Sequence, residues 1–160
     1  MRQVLTSGLL WFSAMGCGLM AGVYFAFSTF IMTALGRLDQ AAGIAAMNAI
    51  NVDIVRSLFM PLFLGTTVAG AALVVMGVLR FNEPGAASTI AGGGLYVIGM
   101  FLVTMVFNVP LNNALAAVQP SAPEAGVVWA SYLKDWVFWN HVRTVASVGA
   151  SALFIVVLAA

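Results

Sequence analysis

His141 is the only histidine in the sequence, and imidazole is the side chain best suited to move a proton near neutral pH. At about 100° per helical residue, it points nearly opposite Arg143 and an aromatic stripe described below. If that stripe faces lipid headgroups, His141 faces the interior, where a partly dry pocket suits a general base. The alternative is a histidine at a helix end, bonded to a backbone carbonyl or to headgroups. His141 is therefore a candidate catalytic base, with this structural alternative left open.

Asparagines form the second group of residues that could do chemistry. Six of the seven fall in two long connectors between apolar segments: Asn48, Asn51, Asn108, Asn112, Asn113 and Asn140. Amides near hydrocarbon are costly unless they are hydrogen-bonded. They would either line a pocket and donate to an oxyanion or a substrate carbonyl, or cap helix ends and satisfy free backbone groups. The sequence alone leaves both roles open.

An aromatic stripe precedes the last apolar segment. Trp129, Tyr132, Trp136 and Trp139 are spaced by three, four and three residues, and Arg143 continues their line. Because Trp and Tyr favour the membrane–water interface, we expect this stripe to lie at headgroup level, with Arg143 snorkelling beside the rings.

The elements that must position these residues are membrane helices. The 160 residues are 62% hydrophobic and 7% charged, whereas a soluble domain carries about 25% charged residues. With so few charges a soluble globule could not cover its surface, so lipid is the solvent that fits. About 20 apolar residues cross a bilayer as a helix. Four segments of one membrane domain (residues 1–160) are predicted to do so: 5–35, 57–79, 85–107 and 141–160.

The connectors give the predicted fold its asymmetry. Four crossings place both termini on one side together with the short turn at 80–88, and place the longer connectors 36–56 and 108–143 on the other. Both long connectors carry helical apolar spacing. The predicted fold class is all-α, an integral membrane four-helix bundle with two amphipathic or interfacial helical connectors on one face.

Several function classes are excluded or disfavoured by composition. A net charge of +1 gives no footprint for nucleic acid. One cysteine, Cys17, and one histidine predict no metal centre built from these residue types alone. Tyr24 and Ser28, one turn apart in the first span, would either line a cavity or bond between helices. Gly18 and Gly22 form a GxxxG pattern that would allow a homo-oligomer through close helix approach.

Five segments together resemble the anthrone oxygenase-like family of small four-helix membrane proteins, long catalogued as a domain of unknown function. They are GVYFAFS at 22–28, ALGRL at 34–38, AMNAIN at 46–51, FNVPLN at 107–112 and WNHVRT at 139–144. Their order and spacing extend over nearly the whole chain. The family's named activity belongs to fungal polyketide pathways, and most of its bacterial members have no assigned reaction.

The resemblance implies oxidation of an anthrone to an anthraquinone by molecular oxygen, without a metal or flavin cofactor. On that basis we expect His141 to take the methylene proton, and Asn51, Asn108 or Asn112 to stabilise the oxyanion. Trp136 and Tyr24 would flank the ring system of a flat substrate that enters from the membrane. Asn48 and Arg143 complete the predicted set of substrate-binding residues.

Two functions from different classes remain at this point. The first is a membrane-bound oxygenase acting on a lipophilic anthrone, phenolic or quinone-like compound. The second is a non-catalytic membrane subunit or a lipid- or quinone-binding protein that uses the same crevice. In either case the expected location is a bacterial inner membrane, with membrane lipids and a lipophilic small molecule as partners.

Overall fold

The computed structural model describes residues 2–160, with side chains from Val4 onward, and all regular elements in that part of the chain are helical. Helix α1 (Arg2–Ala26) is continued by a π-helical turn at Phe27–Ile31 and by Met32–Leu35, and α2 spans Gln40–Ile54. Helix α3 spans Phe59–Leu79. Helix α4 starts as Ala86–Gly94 and continues through π-helical Leu95–Leu102 and Thr104–Asn108 into Val109–Ala117, and α5 spans Ala125–Ala159.

Helices α1, α3, α4 and α5 are long and apolar enough to cross a membrane, as Val4–Leu35, Phe59–Leu79, Ala86–Ala117 and Ala125–Ala159. The predicted class, an all-helical membrane bundle of four spans, is confirmed. The first two predicted spans, 5–35 and 57–79, lie within two residues of the observed helices.

The four long helices form a closed square. Helix α1 packs mainly against α3 and α5, and α4 packs against the same two helices from the other side. Side chains inside the square form a mid-bundle core that includes Leu73, Met100 and Phe154. The lipid-facing sides carry exposed large apolar residues, as expected when hydrocarbon rather than water is the solvent.

Helix α2 covers one end of this square. Its N-terminus is capped by Asp39, whose side chain accepts a hydrogen bond from the Ala41 amide (3.1 Å). It packs against α5, the last part of α4 and the end of α1, where Ile44 and Met47 enter a second core with Trp129 and Tyr132. The connector end of the bundle therefore has its own apolar core, covered by α2.

The predicted end of the third span at residue 107 is wrong, because α4 continues to Ala117. In the widened turn at Thr104–Asn108, the amide of Val109 donates to the carbonyl of Thr104, five residues back. Pro110 then occupies the first turn of the segment that follows. A proline inside a continuous helix removes one backbone hydrogen bond, and the widened turn directly before Pro110 accommodates that loss.

The fourth helix begins sixteen residues earlier than the predicted 141–160, because the aromatic stripe belongs to the same continuous helix. At 1.5 Å per residue α5 is about 50 Å long, well beyond a hydrocarbon core of about 30 Å. Its connector-side half, like that of α4, packs beneath α2 and forms the walls there.

The GxxxG pattern contacts a neighbour inside the chain at one of its two glycines. A Cβ built on Gly18 would lie 3.4 Å from Ser151 Oγ of α5, whereas one built on Gly22 meets nothing within 4 Å. The homo-oligomer through Gly18 and Gly22 stays a prediction.

Candidate functional site

A cavity of about 280 Å³ lies at the connector end of the bundle, beneath α2. All five helices contribute to its wall, which is apolar for most of its surface. Such a volume is near the lower limit of small-molecule sites, roughly 300–1,000 Å³. Six lining side chains carry polar groups: Tyr24, Asn51, Thr104, Asn112, Trp136 and Arg143.

Arg143 is the charged residue of this wall. Its side chain is 5% exposed, and its guanidinium carbon lies 4.4 Å from the ring centre of Tyr24 and 5.0 Å from that of Trp136. Its N–H groups donate to Asn140 Oδ1 (2.6 Å) and, at 3.4 Å, to Thr104 Oγ1. Aromatic faces attract a cation through their quadrupole, so the two rings stabilise the charge without neutralising it.

No carboxylate of the described side chains lies within salt-bridge distance of Arg143. The one ion pair among those side chains joins Arg80 and Glu83 (3.9 Å), at the opposite end of the bundle. A buried charge in a membrane protein is costly unless it is paired, and such residues mark functional positions. The guanidinium at this apolar cavity therefore favours a ligand that brings negative charge.

Asn140 fixes the guanidinium in place. While its Oδ1 accepts from Arg143, its Nδ2 donates to the carbonyl of Tyr24 (2.7 Å) and to Ser28 Oγ (2.7 Å). Thr144 Oγ1 donates to the Asn140 carbonyl (2.9 Å) and lies 3.2 Å from Ser28 Oγ. This largely buried network joins α5 to α1 and positions Arg143 between the two rings.

Three described residues of the cavity wall have N–H donors without a hydrogen-bond partner. Arg143 Nε, Trp136 Nε1 and Asn51 Nδ2 are buried and have no hydrogen-bond partner among the described residues. Asn112 is already engaged, since its Oδ1 accepts from the Tyr132 hydroxyl (2.8 Å). An unpartnered buried N–H is unfavourable, so these three residues favour a ligand that accepts hydrogen bonds.

Five of the predicted substrate-binding residues line the cavity: Tyr24, Asn51, Asn112, Trp136 and Arg143. Asn108 lies behind the wall, where its Nδ2 donates to the Trp136 carbonyl (3.2 Å) and supports that ring. Asn48 is not a lining residue; its Oδ1 is buried without a hydrogen-bond partner in the described part of the chain.

The predicted orientation of His141 is wrong. Its side chain is exposed and borders a shallow apolar groove with Phe138 and Val145 on the outside of the bundle, away from the cavity. The prediction rested on the aromatic stripe facing headgroups, and the structure has the opposite arrangement. A catalytic role for His141 thereby loses its geometric basis.

Three of the four aromatic residues of the stripe face inward, and the fourth, Trp139, is half-buried. Trp129, Tyr132 and Trp136 are each 5% exposed or less and stack in sequence, with ring centres 5.8 Å apart in both pairs. Arg143 is equally buried and does not snorkel. Asn140 was predicted only as one of six asparagines that would line a pocket or cap helix ends, although its spacing of three residues from Arg143 already placed the two on one helix face.

The described residues contain no group of three or more His, Cys, Asp and Glu side chains placed to hold a metal ion. The cavity's polar groups instead suit an organic oxyanion or carbonyl, because the buried unpartnered side-chain atoms of its lining residues are all N–H donors.

Comparison with known proteins identifies the family. The sequence model of the anthrone oxygenase family matches residues 52–153, which is more than half of the chain and includes Trp136, Asn140 and Arg143. No curated protein and no solved structure gives a significant match. The chain belongs to the anthrone oxygenase family.

Proposed function

We propose that this protein is a membrane-bound oxygenase that oxidises a lipophilic anthrone, phenolic or quinone-like compound with molecular oxygen. The observation that carries the proposal is the buried, unpaired guanidinium of Arg143 at an apolar cavity. The family supports the reaction type, and the cavity supports the chemical class of the substrate.

The reaction for an anthrone begins with loss of a methylene proton, which gives an aromatic anthranolate anion. That anion passes an electron to oxygen, and recombination at the former methylene carbon gives a peroxide. Loss of water from the peroxide leaves the quinone carbonyl, so one anthrone and one O₂ yield one anthraquinone and one water. The protein's task is to hold the oxyanion and the flat ring system in a dry site.

Named side chains suit these tasks. Arg143 would stabilise the oxyanion, with the unpartnered N–H groups of Trp136 and Asn51 as further donors. The rings of Tyr24 and Trp136, which hold Arg143 between them, would border the substrate beside the guanidinium, and Asn112 would bound the cavity next to Tyr132. Asn108 would act indirectly, by holding the Trp136 backbone. Molecular oxygen is the co-substrate, and the proposal assigns no metal or flavin.

Substrate access is proposed from the membrane. The exposed residues of the cavity wall, Val23, Val55 and Met105, are all apolar. A lipophilic compound dissolved in the bilayer could therefore reach the cavity without crossing a polar rim. We propose a bacterial inner membrane as the location, with both termini on the same side.

Oxygen uptake by the purified protein with emodin anthrone tests the proposal, after subtraction of uncatalysed autoxidation. Arg143→Met should lower the catalysed rate by roughly a hundredfold or more, the usual effect of losing an oxyanion-stabilising group. The matched control is Arg80→Met, which removes an arginine at the other end of the bundle and should leave the rate unchanged. Equal rates for both variants would contradict the proposal, and ligand binding without oxygen uptake would indicate a quinone- or lipid-binding protein instead.

A further inference from the structure

The cavity wall contains little that could accept a proton. Of the described residues that line it, only Tyr24 and Arg143 carry titratable side chains, and none has a carboxylate, imidazole, amine or thiol. The Tyr24 hydroxyl is itself a donor, to Met100 Sδ (3.3 Å). A neutral phenol and a guanidinium do not serve as general bases near neutral pH.

The elements packed around Arg143 do not supply a base either. Tyr24 of α1 and Tyr132 of α5 are the titratable groups that interact with the guanidinium. Asp53, the acidic residue of α2, is exposed and outside the wall, and α3 contains no titratable residue. In α4, Tyr96 is fully buried and lies outside the cavity.

The positive charge of Arg143, by contrast, is balanced only when an anion binds in the cavity. Arg143 has three kinds of neutral neighbour, namely two aromatic rings, an amide oxygen and a hydroxyl. An anionic ligand would supply the missing opposite charge, whereas a neutral ligand would displace any water and leave the cation unpaired. Binding of the anionic form is therefore favoured over binding of its conjugate acid.

We propose that the cavity takes up its aromatic ligand as a preformed anion, an enolate or phenolate on a flat lipophilic ring system, and does not deprotonate a neutral one. The proton is left to water or buffer outside the cavity before binding, and the bound anion then gives its electron to oxygen. The kinetic part of this inference rests on the proposed oxygenase function; the preference for anions does not.

The binding test uses two ligands of the same shape, anthracene-9-carboxylate and anthracene-9-carboxamide. Their affinities for the full chain in phosphatidylcholine nanodiscs are read from the anisotropy of the anthracene fluorescence. The carboxylate should bind at least roughly tenfold more tightly, because it pairs with the buried charge of Arg143. Arg143→Met should abolish this preference, Arg143→Lys should keep part of it, and Arg80→Met should leave it intact. Equal affinities for the two ligands in the unmodified protein would overturn the proposal.

The kinetic test compares emodin anthrone with a halogenated, more acidic anthrone over a range of pH. When kcat/KM is plotted against pH, the inflection for each substrate should fall at the pH where that substrate ionises. That ionisation is measured in the same nanodiscs without the protein. An inflection at one pH for both substrates would reveal a base in the protein and would overturn the proposal that the cavity binds a preformed anion. If the protein prefers the carboxylate but takes up no oxygen, the oxygenase function is overturned, whereas the binding of preformed anions stays supported.

Discussion

At the scale of single residues, Arg143 and Asn140 act as one unit. The amide of Asn140 uses its oxygen on the guanidinium and its nitrogen on α1, so it orients the cation and neutralises none of its charge. An aspartate at the same position would keep the contact to Arg143 and add a negative charge. The neutral amide thus leaves the positive charge available to a ligand.

Asn140→Asp should consequently weaken binding of anthracene-9-carboxylate by roughly tenfold or more, because the new carboxylate pairs with Arg143 internally. Oxygen uptake with emodin anthrone should fall in parallel. The measurement is the same anisotropy titration, with Asn113→Asp as the matched control, since Asn113 is exposed and outside the cavity. Undiminished carboxylate binding by Asn140→Asp would mean that the ligand does not meet the charge of Arg143.

His141→Ala should leave oxygen uptake within about twofold of the unmodified rate, as expected for an exposed side chain away from the site. The imidazole lies on the outer face of α5 and does not line the cavity. Initial rates at equal amounts of folded protein make the comparison. A large loss of rate with an unchanged melting temperature would return His141 to the mechanism.

At the scale of elements, the sequence predicted the stripe of α5 correctly but not the direction in which it faces. The three-four spacing that links Trp129, Tyr132 and Trp136 to Arg143 is real, yet periodicity cannot distinguish the bundle interior from lipid when both are apolar. The opposite face of α5 carries Lys134 and His141, and both side chains are exposed. Charge alone does not choose between the two faces, because the inward face carries Arg143.

Helix boundaries were predictable only where charge bounded the apolar run. Arg56 and Arg80 bracket α3, and the predicted span agrees with the observed Phe59–Leu79. For α4, the predicted end at residue 107 lies just before Pro110, but the widened turn at Thr104–Asn108 lets the helix continue past that proline. Composition carries no sign of a π-helical turn, so the extra ten residues of α4 could not be anticipated.

The contact between α3 and α4 depends on glycine at a close approach of the two backbones. A Cβ added at Gly93 would lie 2.5 Å from the carbonyl oxygen of Gly70 and 2.6 Å from Val74 Cγ2. Gly93→Ala should therefore force the helices apart and cost about 1–3 kcal/mol. For a chain of this size that is a fall of roughly 2–10 °C in Tm, measurable by intrinsic fluorescence in detergent.

The neighbouring glycine provides the control for that substitution. A Cβ at Gly94 meets nothing within 4 Å, so Gly94→Ala should not lower Tm and gains helix propensity. Because both changes add one methyl group in the same turn of α4, only their packing differs. Equal melting temperatures for the two variants would show that the helices do not approach closely at Gly93.

At the scale of the whole molecule, the bundle is polarised along its axis. The end covered by α2 holds the cavity and the Arg143–Asn140 unit, while the other end holds the short turn with the Arg80–Glu83 pair. The number of spans and the asymmetry of the connectors were predictable from apolar run lengths alone. The cavity was not, since it needs residues from all five helices and its shape depends on how α2 packs against the square.

This polarity predicts that the connector between α4 and α5 and the C-terminus lie on opposite sides of the membrane. The natural thiol, Cys17, is fully buried, so Cys17→Ser provides a background without a reactive cysteine. In that background Ser121→Cys labels the connector and Ala160→Cys labels the C-terminus, both at exposed positions. With a membrane-impermeant maleimide on intact cells, one variant should react and the other should react only after permeabilisation. If both react from the same side, the number of crossings between them is not one. The four-span bundle with α2 covering one of its two ends would then be wrong.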